Sequence, residues 1–269
     1  MSETTNTAPS QAHQAPARQS TRGPLDCVLD LFFKTFYIAK KELKLYFVSP
    51  IAYILAAAYL LISGWMFTAH LMQGRKAELT GFLYNNGVIL LFIVPSLTMR
   101  LLAEERKQHT MELLITSPVT PTQIVLGKFI ACEALLMTMV GMTLAFAYIL
   151  VYLDGKPDWG PIKTAYLGLF LLSSCFVAVG TFTSSLTENQ LVAAVSCFAL
   201  LLLLWIVSWA SVMLDPGWMQ STAEAMSIFL PYGDFVKGVI ETRYFVYYGS
   251  IIFTFLFASV RMLEASRWR

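Results

Sequence analysis

Five stretches of this chain run for 20 or more residues without a single Asp, Glu, Lys or Arg: 45–74, 79–99, 134–153, 164–187 and 189–214. A helix of about 20 apolar residues crosses a hydrocarbon core of about 30 Å, so each stretch can span a bilayer. A sixth, 244–260, has 17 residues and is bracketed by Arg243 and Arg261, whose long side chains can reach the headgroups. Lipid leaves backbone polar groups satisfied only inside helices or closed barrels, and continuous apolar runs without alternation exclude the barrel. The sequence predicts an all-α polytopic membrane protein with six transmembrane helices, at about 50–70, 82–101, 121–153, 163–185, 190–214 and 244–263. Composition agrees, with 13% charged residues where a soluble domain carries about a quarter.

Orientation follows from where the positive charges fall. With both ends inside, cytoplasmic segments hold Arg18, Arg22, Lys34, Lys40, Lys41, Lys44, Arg100, Arg106, Lys107, Lys128, Arg261, Arg267 and Arg269, which is 13 of 19. Arg75, Lys76, Lys156, Lys163, Lys237 and Arg243 fall outside. Both termini are therefore expected in the cytoplasm. Residues 1–24, rich in Ser, Thr, Gln, Ala and Pro and lacking an apolar core, read as a disordered cytoplasmic tail before a membrane domain at 25–269.

Between residues 29 and 47, Leu29, Phe32, Phe33, Phe36, Leu43 and Phe47 recur near helical spacing while Asp30, Lys34, Lys41 and Lys44 take other faces. That pattern predicts an amphipathic elbow helix on the inner leaflet, with a plain extension of span one as the alternative. Ser49 reads as an N-cap and Pro50 as the first residue of span one. Span two carries Pro95, which should kink it. Next comes a compact polar helix, LLAEERKQHTMELLITSP, at 101–118, ended by Ser117-Pro118. Within it Glu105, Gln108, His109 and Glu112 follow i, i+3, i+4, i+7 spacing and form one polar stripe, suited either to receive a partner or to lie solvated. Thr120-Pro121-Thr122-Gln123 encodes a capping box that opens span three.

Span four is rich in small residues, with Ser174 and Ala178, Gly180 and Ser184, and Thr181 and Ser185 spaced for close helix contact. Spans four and five meet at a tight cytoplasmic turn through Thr187, Glu188, Asn189 and Gln190. Between residues 215 and 243, the run 225–230 is too short to cross a bilayer. One or two short re-entrant helices, broken by Pro231 and Gly233, or an ordinary external loop, are expected there.

The chemistry present is sparse. No Gly-rich phosphate loop exists: Gly127-Lys128 is followed by Phe129, and Thr122 stands where the first glycine would be. GxSxG and HExxH patterns are absent, and His13, His70 and His109 are scattered. Cys27, Cys132, Cys175 and Cys197 show no CxxC spacing, so neither a disulfide framework nor a metal site follows. The chain is expected not to be an enzyme by itself and to bind no cofactor or metal. Glu133 is the lone carboxylate in an apolar segment, about 16 Å along span three from Thr122. It is either a functional intramembrane acid or a group hydrogen-bonded to a neighbouring helix or water near the inner interface.

These residues resemble the ABC-2 class of ABC exporter permeases, and within it the gliding-motility, GldF-like group, over roughly residues 35–265. The resemblance rests on Ala39-Lys40-Lys41-Glu42-Leu43 leading to Ser49-Pro50, Pro95 through Arg100, Glu104-Glu105-Arg106-Lys107 to Met111-Glu112-Leu113-Leu114, and Ile124-Val125-Leu126-Gly127-Lys128. Further matches are Ser185 through Gln190 and Gly238-Val239-Ile240-Glu241-Thr242-Arg243. The resemblance implies a multi-pass protein of the bacterial plasma membrane with a cytoplasmic coupling helix between spans two and three. It implies an ATPase-coupling set of Glu104, Glu105, Arg106, Lys107, Gln108, His109 and Glu112, with ATP and Mg bound by a separate ABC ATPase subunit. It also implies a second permease copy or a related permease, and an accessory membrane protein with a large extracytoplasmic domain; no nucleic acid is involved. The chain would be the permease subunit of an exporter. The alternative is a permease-like scaffold that passes ATPase work to an extracytoplasmic partner without moving a solute.

Overall fold

The computed structural model describes residues 24–73, 79–107, 119–153, 155, 157–214 and 217–265, and all regular structure among them is helical. The expected tail falls outside these residues except for its last one, as do residues 108–118 of the predicted polar helix. In chain order the helices are α1 (Pro24–Val48), α2 (Pro50–Gln73), α3 (Thr80–Thr98), α4 (Ala103–Lys107), α5 (Pro121–Met142) and α6 (Leu144–Tyr152). There follow α7 (Trp159–Leu186), α8 (Gln190–Met213), α9 (Trp218–Met226), α10 (Phe229–Val236) and α11 (Thr242–Ala265).

Among the described residues, six segments are long and apolar enough to cross a membrane: Pro50–Met72, Thr80–Lys107, Pro121–Tyr152, Trp159–Leu186, Gln190–Met213 and Thr242–Ala265. They differ in how they are packed. In the most apolar stretch of spans two and four 72% of the residues are buried, whereas in spans one, five and six only 22% are. The protein is thus organised around α3 and α7, which touch through small residues. A Cβ at Gly180 of α7 would stand 2.2 Å from Thr98 Oγ1 and 2.5 Å from Thr98 Cβ, so only glycine lets the two backbones meet there.

Local signals explain several boundaries. Helix α2 begins at Pro50 directly after the single non-helical residue Ser49, whose carbonyl accepts the Ala52 amide at 3.3 Å. Helix α3 continues through Pro95 for one more turn, and the Met99 amide donates to the Pro95 carbonyl at 3.0 Å. The third span is interrupted where a single helix was expected. The Thr143 hydroxyl lies 2.6 Å from the Val140 carbonyl of its own helix and 2.9 Å from the Tyr166 hydroxyl on α7, and the regular α-helix is interrupted for this one residue between α5 and α6 within a single crossing. A side-chain hydroxyl that competes for a helical carbonyl, next to Gly141, supplies the physical reason.

The segment before the last span holds two short helices, and their break differs from expectation. Pro231 and Gly233 lie inside α10, and the interruption falls at Ser227-Ile228. Proline is tolerated there because it occupies the first turn, where its missing N–H has no helical acceptor. Helix α10 is wedged against α3 and α7: Tyr232 is fully buried and its hydroxyl donates to the Leu83 carbonyl. A Cβ on Gly87 would come within 2.6 Å of Tyr232, and one on Gly168 within 2.7 Å of Phe235. Two helical glycines therefore make room for the two aromatic side chains. Helix α9 has no buried residue.

Candidate functional site

The functional geometry is concentrated where α1, α4, α5 and α7 converge. Helix α5 starts from the expected capping box: the Thr120 amide donates to Gln123 Oε1 at 2.9 Å and the Gln123 amide to Thr120 Oγ1 at 3.4 Å. Two turns further, Gly127 lies under α1. A Cβ at Gly127 would stand 2.7 Å from Ile38 Cγ2 and 3.2 Å from the Thr35 carbonyl, so α1 rests almost directly on the α5 backbone. This approach brings Glu42, one turn beyond Ile38, beside Lys128.

Lys128 is 3% exposed, and its Nζ lies 2.9 Å from Glu105 Oε1 on α4 and 3.3 Å from Glu42 Oε1 on α1. The two carboxylates are 18% and 14% exposed. An ammonium so deeply buried must be paired, because desolvation costs several kcal/mol per ion. Here a single cation from one helix fastens two acids from two others. Tyr46, one turn beyond Glu42, carries a hydroxyl that burial raises well above the ordinary phenol value, with Cys132 and then Glu42 adding to the effect. It remains a neutral donor throughout the physiological range. A cleft of about 440 Å³ opens beside this cluster, lined by Lys41, Leu45, Ser49, Arg100 and Glu104 in addition to the ion pairs.

Helix α4 has a second anchor. The amides of Leu102 and Ala103, which precede and open α4, both donate to Ser184 Oγ of α7, at 3.0 and 3.1 Å. Orphan amides at a helix start need such an acceptor, and Ser184 supplies it from another span. The small residues singled out in span four therefore include the two that seat this region, Gly180 against Thr98 and Ser184 against α4. The turn into α8 is closed locally, with Asn189 N donating to Thr187 Oγ1 at 3.1 Å and Leu191 N to Asn189 Oδ1 at 2.9 Å. Glu188 is exposed on it, and Gln190 begins α8.

Of the predicted coupling residues, Glu105 enters the buried ion cluster, while Glu104, Arg106 and Lys107 stand on α4 at partly or fully exposed positions. Gln108, His109 and Glu112 lie outside the described residues. Sequence reasoning named Glu42 and Lys128 within the motifs of the family resemblance and counted Lys128 as a positive charge, but gave neither a role in the site. The signal was available: a lysine eight residues past a helix cap, within the apolar run Ile124-Val125-Leu126-Gly127-Lys128-Phe129-Ile130, requires an acidic partner. Glu133 does face a neighbouring helix. Ser173 Oγ of α7 donates to its Oε1 at 2.6 Å, and Oε2 is buried with no partner among the described residues. Cys132, Cys175 and Cys197 are buried free thiols, and no group of three potential metal ligands occurs among the described residues.

No curated protein matches the chain. The sequence profile described as ABC-2 family transporter protein matches residues 36–217, about two-thirds of the chain, and covers α2 to α8 together with the second half of α1. That family is a non-catalytic membrane component that works with an ABC ATPase subunit. With six spanning helices and this match, the chain belongs to the ABC-2 family and is the multi-pass membrane permease subunit of an ABC transporter.

Proposed function

We propose that this permease couples ATP hydrolysis by a separate ATPase subunit to export across the bacterial plasma membrane, with both termini cytoplasmic. The observation that carries the reading is the Lys128 cluster. A push on the polar segment that begins at α4 reaches α5 through Glu105 and Lys128, and α1 through Lys128 and Glu42. It reaches α7 through Ser184. The segment 104–115, with Gln108, His109 and Glu112, is the part that receives the ATPase, and ATP and Mg stay on that subunit. Closure of the ATPase pair then tilts the spans between inward-open and outward-open or closed states.

In spans one and five most residues are not buried by the chain itself. A second copy or a related permease covers part of their surface, and the substrate passes along the shared interface. The order of the motifs quoted above favours the gliding-motility group, in which an accessory membrane protein supplies the external domain. The test is copurification in mild detergent followed by reconstitution. An ATPase should remain bound, and Glu105→Ala with Glu112→Ala should lower its stimulated hydrolysis at least several-fold. An ATPase that never copurifies, or labelling that places Gln108 on the external side, overturns the proposal. ATP turnover in sealed vesicles with no flux of any solute assigns the chain to the scaffold reading instead.

A further inference from the structure

Helix α1 presents an exposed face whose composition differs from its packed side. Thr35 and Ala39 are buried with Glu42 turned to Lys128, while Phe32, Phe33, Phe36 and Tyr37 are 61–74% exposed. Lys40, Lys41 and Lys44 are exposed on the same side as these aromatics, and none of the three is ion-paired among the described residues. Glu42 is the single acid between residues 31 and 48, and Lys128 holds it. Between residues 31 and 48 no acid is therefore left to neutralise these three lysines, the other two acids of α1, Asp26 and Asp30, lying in its first two turns.

A recess of about 670 Å³ lies on this face beside Val119, with Phe33, Phe36 and Tyr37 alongside Lys40, Lys41 and Lys44. We infer that this face of α1 is a binding surface for anionic phospholipid, the lysines holding the phosphoryl headgroup and the aromatic rings lying against the glycerol and upper acyl region. Three observations favour a lipid. The first is position: all three lysines fall within ten residues of Pro50, where span one begins after a single non-helical residue, which holds the face at the membrane surface. The second is the mixture of rings and ammonium groups, because a free anion calls for the cations alone whereas an interfacial lipid uses both. The third is charge complementarity, since unpaired lysines next to a span attract anionic leaflets, at about a fivefold gain in affinity for each lysine. The inference rests on the membrane assignment and not on the transport reading.

The test uses the full chain in detergent, with bound lipid counted by native mass spectrometry during titration with phosphatidylglycerol or phosphatidylcholine. Wild type should retain phosphatidylglycerol at least about tenfold better than phosphatidylcholine, and the preference should fall as salt screens the lysines. Replacing Lys40, Lys41 and Lys44 together by Ala should abolish the preference, and replacing them by Arg should keep it. Elution volume and melting temperature report whether each variant is folded. If the triple alanine variant does not survive extraction, Lys40→Ala, Lys41→Ala and Lys44→Ala tested singly should each lower the preference, by up to about fivefold. Equal retention of the two lipids by wild type, or an undiminished preference in the folded alanine variants, overturns the inference. So does loss of ATPase copurification with lipid retention unchanged, which would assign the face to an acidic protein surface.

Discussion

Lys128 and Glu133 stand five residues apart on α5, about 7.5 Å along the helix, and their surroundings are opposite in kind. Lys128 has two carboxylates from two other helices within 3.3 Å. Glu133 has one serine hydroxyl, and that serine also bonds the Phe170 carbonyl of its own helix at 3.0 Å. Removing Lys128 strands two poorly solvated carboxylates facing each other. Removing the Glu133 charge strands almost nothing, because Ser173 keeps a local acceptor. The difference teaches that the consequence of an ionisable group in a membrane chain depends on how many elements converge on it, more than on its depth.

The comparison can be broken by substitution, beginning with the largest effect. Lys128→Met should destabilise the protein by about 3 kcal/mol, read as a lower melting temperature in detergent. Adding Glu42→Gln and Glu105→Gln should recover most of that loss, because an apolar or neutral trio no longer contains uncompensated charge. A Lys128→Met protein as stable as wild type would remove the distinction altogether. Gly180→Ala comes next: its Cβ meets the rigid Cβ of Thr98 as well as the hydroxyl, so α3 and α7 must move apart at about 2 kcal/mol.

Ser184→Ala sharpens the comparison from the α7 side. Two amides lose their shared acceptor, which should cost about 1–2 kcal/mol and increase hydrogen exchange at Leu102 and Ala103. The smallest effect should come from Glu133→Gln, within about 1 kcal/mol of wild type, because the amide oxygen can still accept from Ser173. A Glu133→Gln melting temperature that falls as far as that of Lys128→Met would place the critical contact at the α5–α7 interface instead.

Legibility in the sequence followed the range of each interaction. The capping box at Thr120 and Gln123 and the start of α2 at Pro50 depend on neighbours within four residues, and both are visible as short patterns. The close approach of span four was foreseen from Gly180 and Ser184, but its partners, Thr98 and the start of α4, lie more than 80 residues away in the chain. The break at Thr143 and the course of α10 through Pro231 and Gly233 were not foreseen. Each depends on tertiary context: a hydroxyl bonded to Tyr166 in the first case, and in the second a first-turn proline in a helix held between α3 and α7.

Six crossings and an all-helical architecture were determined by the amino-acid sequence alone. Lipid solvates neither backbone amides nor charges, so length and polarity leave a chain of this kind little choice. Which acids meet Lys128, and hence which helices move together, was decided by the tertiary structure. Glu42, Glu105 and Lys128 are separated by 63 and 23 residues and become neighbours only because Gly127 lets α1 settle on α5 while Ser184 holds α4 against α7.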